Sequence, residues 1–146
     1  VMNVLAHIVA GEEDEMIAIA QSPQPLVEWS GVQVRGLDTA KVVMLHCLLT
    51  GEEFDFAAGH YEPVYAPADE GPLLLRMADE AMEKLSVLDE DALAEVAEEL
   101  AATEEFEEDG WDADQVHDLL LDVADLARLA ESQEQVLYVW MQPDTV

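Results

Sequence analysis

The spacing of hydrophobic and polar positions changes several times along this chain, and each change marks an element. Residues 3–10, "NVLAHIVA", are apolar, rich in β-branched side chains and closed by Gly11. That is the pattern of a buried strand. In "GEEDEMIAIAQSP" the acids suit a helix N-terminus, and Pro23 stops the helix. "PLVEWSGVQV" is short and ambiguous, broken by Gly31 and Gly36. "LDTAKVVMLHCLLTG" predicts a helix. Asp38 or Thr39 can cap it, Val42, Leu45, His46 and Leu49 share one face, and Gly51 is the natural residue just past its end.

Residues 52–71 read as a loop with four aromatics, two prolines and two glycines. A loop of that length in a compact domain often carries function. Three amphipathic stretches come next. "GPLLLRMADEAMEKL" predicts a helix opening at Pro72, with Leu74, Met77, Ala78, Ala81 and Leu85 as its apolar stripe. "LDEDALAEVAEEL" predicts a helix capped by Asp89, with Leu93, Val96, Ala97 and Leu100 facing inward. "DADQVHDLLLDVADLARLAES" repeats Val116, Leu119, Leu120, Val123, Ala127 and Ala130 at helical spacing. Residues 135–142, "QVLYVWMQ", read as a final strand ended by Pro143 and able to pair with residues 3–10. Strands at both ends with about four to five helices between them predict one α+β domain over residues 1–146.

Composition adds limits. Hydrophobic residues make up 51% of the chain, enough for a sizeable core. No apolar run approaches the roughly 20 residues of a membrane helix. Ile17–Ala20 is too short for a signal-peptide core, and acids stand where a basic start belongs. A soluble cytoplasmic protein is the expectation. Cys47 is the single cysteine, so an internal disulfide or a thiolate zinc site is excluded. In "MLHCLLTG" it reads as a small buried hydrophobe.

Charge changes the picture most. There are 34 acids against five Lys and Arg, a net −29. Such a chain repels phosphates, so nucleic acid and anionic membranes are not expected partners. Between Asp79 and Asp125 lie 19 acids, interrupted by Lys84 alone. The charge can serve solubility, attract a basic protein or imitate a phosphate backbone.

Four features in order resemble the YfbM-like family, a bacterial family of unknown function. They are the first apolar strand, the helix ending "LHCLLTG", the loop "YEPVYAP" and the last strand "VLYVWM". His46 with Thr50 and Gly51 is the most specific part. Two positions depart from the family pattern: Val42 stands where a tryptophan is usual, and Ala40 where a basic residue is. The resemblance implies an α+β fold and carries over no reaction.

Chemistry-bearing residues are few. Aligning Gly110 with the glycine of a calcium loop puts Val116 where a bidentate Glu is required and Asp112 where an apolar residue belongs. A specific calcium site is therefore not expected. His7, His46, His60 and His117 form no pair at metal-ligand spacing. His60 and Glu62 offer two ligands without a visible third, so neither metal nor cofactor is predicted. His46 fits a core histidine bonded to a carbonyl or hydroxyl. It also fits a pocket with Thr50, Tyr61 and Tyr65, where a histidine near tyrosines and a carboxylate can move protons. No catalytic residues are assigned. Glu104, Glu105, Glu107, Glu108 and Asp109 surround Phe106 and Trp111, two rings that either tuck onto the core or stand as an interface anchor in a charged rim. The leading expectation is a non-enzymatic, immunity- or inhibitor-like module for a basic protein. Its rivals are a ligand-binding protein or enzyme using residues 54–65 with His46, and charge that serves solubility alone.

Overall fold

A computed structural model describes residues 3–21, 29–37, 39–61, 73–108 and 110–144. Strand β1 (Asn3–Gly11) leads through a 3₁₀ turn (Glu13–Glu15) into α1 (Met16–Gln21). Strand β2 (Gly31–Arg35) precedes α2 (Thr39–Thr50) and the short α3 (Phe54–Ala58). Strand β3 (Leu73–Arg76) is followed by α4 (Asp79–Val87), α5 (Glu90–Ala101) and the single turn α6 (Glu104–Glu107). The long α7 (Ala113–Ser132) feeds strand β4 (Val136–Asp144). The four strands form one antiparallel sheet in the order β2-β1-β4-β3. The architecture is α+β, as the alternation of patterns predicts.

The two end strands pair over their full length, from Asn3 opposite Asp144 to Gly11 opposite Val136. Side chains alternate across a strand, so this register sorts each strand between two faces. Ala6, Ile8, Ala10, Leu75, Leu137, Val139 and Met141 join the main core under the helices. Val9, Leu74, Val136, Tyr138 and Trp140 point the other way and meet Ile19 and Ala20 of α1, with Trp29 at the edge. Trp140 closes its polar end by donating Nε1–H to the carbonyl of Ala20 (3.2 Å).

Helix ends follow their sequence signals. Asp89 caps α5 by accepting the backbone N–H of Ala92 at 2.8 Å. Asp112 and Gln115 form a reciprocal capping box at the start of α7. The long apolar stripe of α7 then buries Val116, Leu120, Val123, Ala127 and Ala130, while Leu119 is half-buried.

Three expectations are corrected. Residues 73–76 are a strand and not the first turn of a helix opening at Pro72. Leu74 and Leu75 are adjacent and both fully buried, which requires a segment covered on two faces. Helical spacing from Leu74 to Leu85 is accidental at its first members. Second, the segment 52–61 is not all loop, because α3 lies within it. Third, β4 continues through Pro143 to Asp144. There the described part of β3 has already ended, since its Leu73 sits opposite Met141, so among the described residues Pro143 is paired with β1 alone, opposite Val4. A proline is tolerated where one side of the strand is open. Asp38, Glu62, Tyr65 and Pro72 fall outside the described residues.

Truncating Leu75 separates the strand from the helix expected there, because a helix with that stripe would leave Leu75 outside it. Leu75→Ala should cost about 2–5 kcal/mol, as for a fully buried leucine, measured as a lower urea midpoint. An unchanged midpoint would contradict β3.

Candidate functional site

The C-terminal turn of α2 and the start of α4 meet beside a cleft of about 420 Å³. Its lining is His46, His60, Arg76, Met77, Ala78, Asp79 and Glu80. A chain reversal at Gly51 brings the first two together. Gly51 has φ 79°, a left-handed conformation that costs a side-chain-bearing residue about 1–2 kcal/mol. Its N–H reaches back to the carbonyl of Cys47 (2.8 Å) and ends α2. Thr50 holds the reversal from both sides. Its hydroxyl donates to the His46 carbonyl (2.9 Å) and accepts from the Glu52 N–H (3.3 Å). Helix α3 then lasts five residues and closes at Gly59, which returns His60 and Tyr61 to the end of α2.

His46 is 1% exposed, as expected of a core histidine. Its Nδ1 lies 3.0 Å from the hydroxyl of buried Tyr61, the second of the two partners its sequence context suggested. The Tyr61 oxygen also accepts the N–H of Ala78 (3.3 Å). That contact ties the α2–α3 turn to the junction of β3 and α4. Burial is the main cause that pushes the Tyr61 hydroxyl up to about 12, and Glu52 adds to it. The phenol therefore keeps its proton at neutral pH. A phenol oxygen has two acceptor sites and one donor, so either it or Nδ1–H can donate in the contact with His46.

The opposite edge of the His46 ring is unlike this. Nε2 is buried and has no hydrogen-bond partner. It lies 3.4 Å from Oε2 of Glu52, which is also buried and without a hydrogen-bond partner. The same oxygen is 3.3 Å from Nε2 of His60. His46 and His60 stack loosely, with centroids 5.4 Å apart, and the exposed Phe56 meets His60 edge-on. Among the described residues these three form the one set of three ligand-type side chains gathered tightly enough to hold an ion. Sequence spacing missed it. His60 was visible as a ligand, but Glu52 and His46 join it only through the Gly51 reversal. A carboxylate directly after a helix-ending glycine is the signal that could have suggested it.

The rim of the cleft is ionic. Arg76 donates to Glu13 (2.9 Å) and Asp79 (3.3 Å), both well exposed. Exposed pairs of this kind contribute little, about 0–1 kcal/mol. Cys47 is half-buried one position along from His46, and burial followed by the charge of Glu52 pushes its thiol up. A protonated thiol is a poor nucleophile, which fits Cys47 as a packing residue against the main core.

The other expected site, residues 104–111, is arranged differently. Glu104, Glu107 and Glu108 are exposed, and Glu105 is half-buried. Phe106 is 1% exposed and packs in the main core. Trp111 is half-buried and meets Phe106 edge-on, with centroids 5.5 Å apart. The Lys41 ammonium, on a buried side chain, lies 5.8 Å from the Phe106 ring centre. Both rings tuck onto the core, so Phe106 is no surface anchor. Asp109 is outside the described residues. His117 does not pair with Asp114 or Asp118, and its Nε2 is buried without a hydrogen-bond partner.

No helix among the described residues is long and apolar enough to cross a membrane. The chain matches no protein-family model, no curated protein and no solved structure.

Removing the Tyr61 hydroxyl tests this construction. Tyr61→Phe strips His46 Nδ1 and the Ala78 N–H of their partner and should cost about 1–3 kcal/mol. The native state holds the Tyr61 proton to about 12, and an unfolded chain loses it near 10.0. Stability is therefore fully present below that lower value and falls as pH rises through the window between them. Denaturation across that window should show the fall, and Tyr61→Phe should lessen it. Equal slopes in the two proteins would refute the buried phenol.

Proposed function

We propose that this protein binds a small cationic or neutral polar ligand in the cleft between the α2–α3 turn and the β3–α4 junction. The observation that carries this is the buried His46 ring, pinned at one edge by Tyr61 and unpartnered at the other, which lines the cleft. A buried polar atom without a protein partner is costly, and a ligand seated in the cleft can supply that partner. The expected sign of the ligand follows from the lining. Asp79 and Glu80 line the cleft and the Glu52 carboxylate lies 3.4 Å from His46 Nε2, while Arg76 is already shared between Glu13 and Asp79. A net −29 also concentrates cations around the whole chain. His46, Thr50 and Gly51 carry the resemblance to the YfbM-like family; His46 lines this cleft, and Thr50 and Gly51 form the turn that follows it. Membership of that family and a cytoplasmic setting are part of this reading.

A second surface belongs to the acidic face. Glu104, Glu107 and Glu108 are exposed around α6, and no cation is bonded to them among the described residues. Such a face can steer a basic protein toward the chain. With Phe106 buried and Trp111 packed against the core, the surface lacks its aromatic anchors, so the affinity expected from charge alone is modest and salt-sensitive.

Amide chemical-shift mapping decides between the two. A panel of small amines, amino acids and neutral polar fragments, added in the presence of EDTA, should move the amides of Glu52, His60, Met77 and Ala78. A panel that leaves all four unmoved overturns the cleft reading. Charge reversal of Glu104, Glu105, Glu107 and Glu108 to Lys should slow association with a basic partner at low salt. Unchanged recovery of partners at the same salt would end the second reading.

A further inference from the structure

We infer that His46, Glu52 and His60 form a binding site for a divalent transition-metal ion of the zinc class, with an open coordination position facing the cleft. The inference rests on the cleft reading and names the innermost ligand of that site.

Four observations carry it. First, the distances fit. An ion with tetrahedral ligands at about 2.0–2.2 Å has ligand–ligand edges of about 3.3–3.6 Å. Oε2 of Glu52 lies 3.4 Å from Nε2 of His46 and 3.3 Å from Nε2 of His60. All three ligand atoms lie within 4.8 Å of one another. Second, the two buried ligand atoms make no hydrogen bond among the described residues, and their ionic contacts are within the three-residue set itself. Nε2 of His46 and Oε2 of Glu52 are both buried without hydrogen-bond partners. A metal ion satisfies a nitrogen lone pair and a carboxylate lone pair together, which no single proton does for all three groups. Third, the outer atom of His46 is already positioned. A histidine that ligates through one nitrogen normally donates the other N–H to an oxygen that fixes the ring. Tyr61 supplies that oxygen 3.0 Å from Nδ1, and its second acceptor site is occupied by the Ala78 N–H. In the metal-bound form Nδ1–H donates to Tyr61, and the phenol proton turns away. Fourth, the donor set is selective. Two imidazoles and one carboxylate suit zinc, cobalt or nickel, whereas magnesium and calcium want all-oxygen shells.

Three protein ligands leave one tetrahedral position vacant, the arrangement of metal sites that take a water or a substrate. His46 and His60 both line the cleft, so the vacant position opens there. The ligand expected beside the metal is a small molecule with an oxygen or nitrogen lone pair. Tyr61 acts as a positioning residue through His46.

The test is titration of the EDTA-stripped full chain with Zn²⁺, and with Co²⁺ as a visible-absorption probe, against Ca²⁺ and Mg²⁺ as controls. The expected result is one Zn²⁺ per chain above a weak carboxylate background common to all four ions, with the absorption of a four-coordinate Co²⁺ centre. His60→Ala and Glu52→Gln should abolish the 1:1 step and the Co²⁺ spectrum while leaving the background. His46→Ala should do the same. If it fails to fold, the exposed His60 decides the matter. Tyr61→Phe should keep the spectrum and weaken Zn²⁺ binding about 10–100-fold, the range for loss of a supporting hydrogen bond. The inference is overturned if wild type and His60→Ala take up Zn²⁺ equally, or if Zn²⁺ binds no better than Ca²⁺. A chain that binds Zn²⁺ but no organic fragment keeps the metal site and loses the wider ligand reading, and the reverse result separates them the other way.

Discussion

The pairing of β1 with β4 is the constraint on which the rest of the molecule hangs. Nine residues near one end of the chain lie antiparallel to nine near the other, and they occupy the two central positions of the sheet. Everything between them is a closed excursion that must leave β1 and return to β4. The return is made by α7, whose C-terminal turn passes directly into β4 through Glu134 at φ 56°. Because the pairing joins distant parts of the sequence, its loop-closure entropy is met before its contacts reward it. The β1–β4 ladder is thus the most non-local pairing of the sheet, whereas helix pairs such as α5 with α7 join segments closer in sequence.

The same constraint explains how a chain with so many carboxylates keeps a dry interior. The ladder register sends alternate side chains to two apolar layers, and the helices supply one-sided stripes to the larger. Carboxylates then fall on the outer faces of α4, α5 and α7. Self-repulsion among them is a distributed cost of a few tenths of a kcal/mol per like pair at helical spacing. Glu52 is the informative exception. Its Oε2 is turned inward against two imidazoles and not outward to water.

Much of the fold was legible because period and punctuation agreed. Residues 3–10 and 135–142 alternate or run apolar between turn signals, and they pair as expected. The helix ending at Gly51 and those capped by Asp89 and Asp112 carried both stripe and cap. β3 was not legible. "LLLR" sits at helical spacing from Met77, Ala81 and Leu85, and only a partner strand distinguishes a two-face-buried run from a helix start. β2 is five residues and its pattern is too short to show a period. For the site, the burial of His46 and its closeness to Tyr61 were readable from a shared helical face and an aromatic-rich loop. Glu52 was not, because its place depends on the direction in which the chain leaves Gly51. The inward turn of Phe106 depended on a hole between α2, α5 and α7 that no local pattern describes.

The edges of the sheet have a consequence for how copies of this chain behave at high concentration. Among the described residues β2 and β3 are the outermost strands, and they span five and four residues there. An exposed strand is a template for another chain, and a short one offers few unpaired backbone groups. A second copy that approaches either edge also brings its own −29 against the first. Edge-to-edge stacking is thus opposed twice, by geometry at short range and by charge at long range. Salt removes only the second barrier. In concentrated brine what still opposes strand-wise pairing at these edges is how few unpaired backbone groups the described parts of β2 and β3 offer.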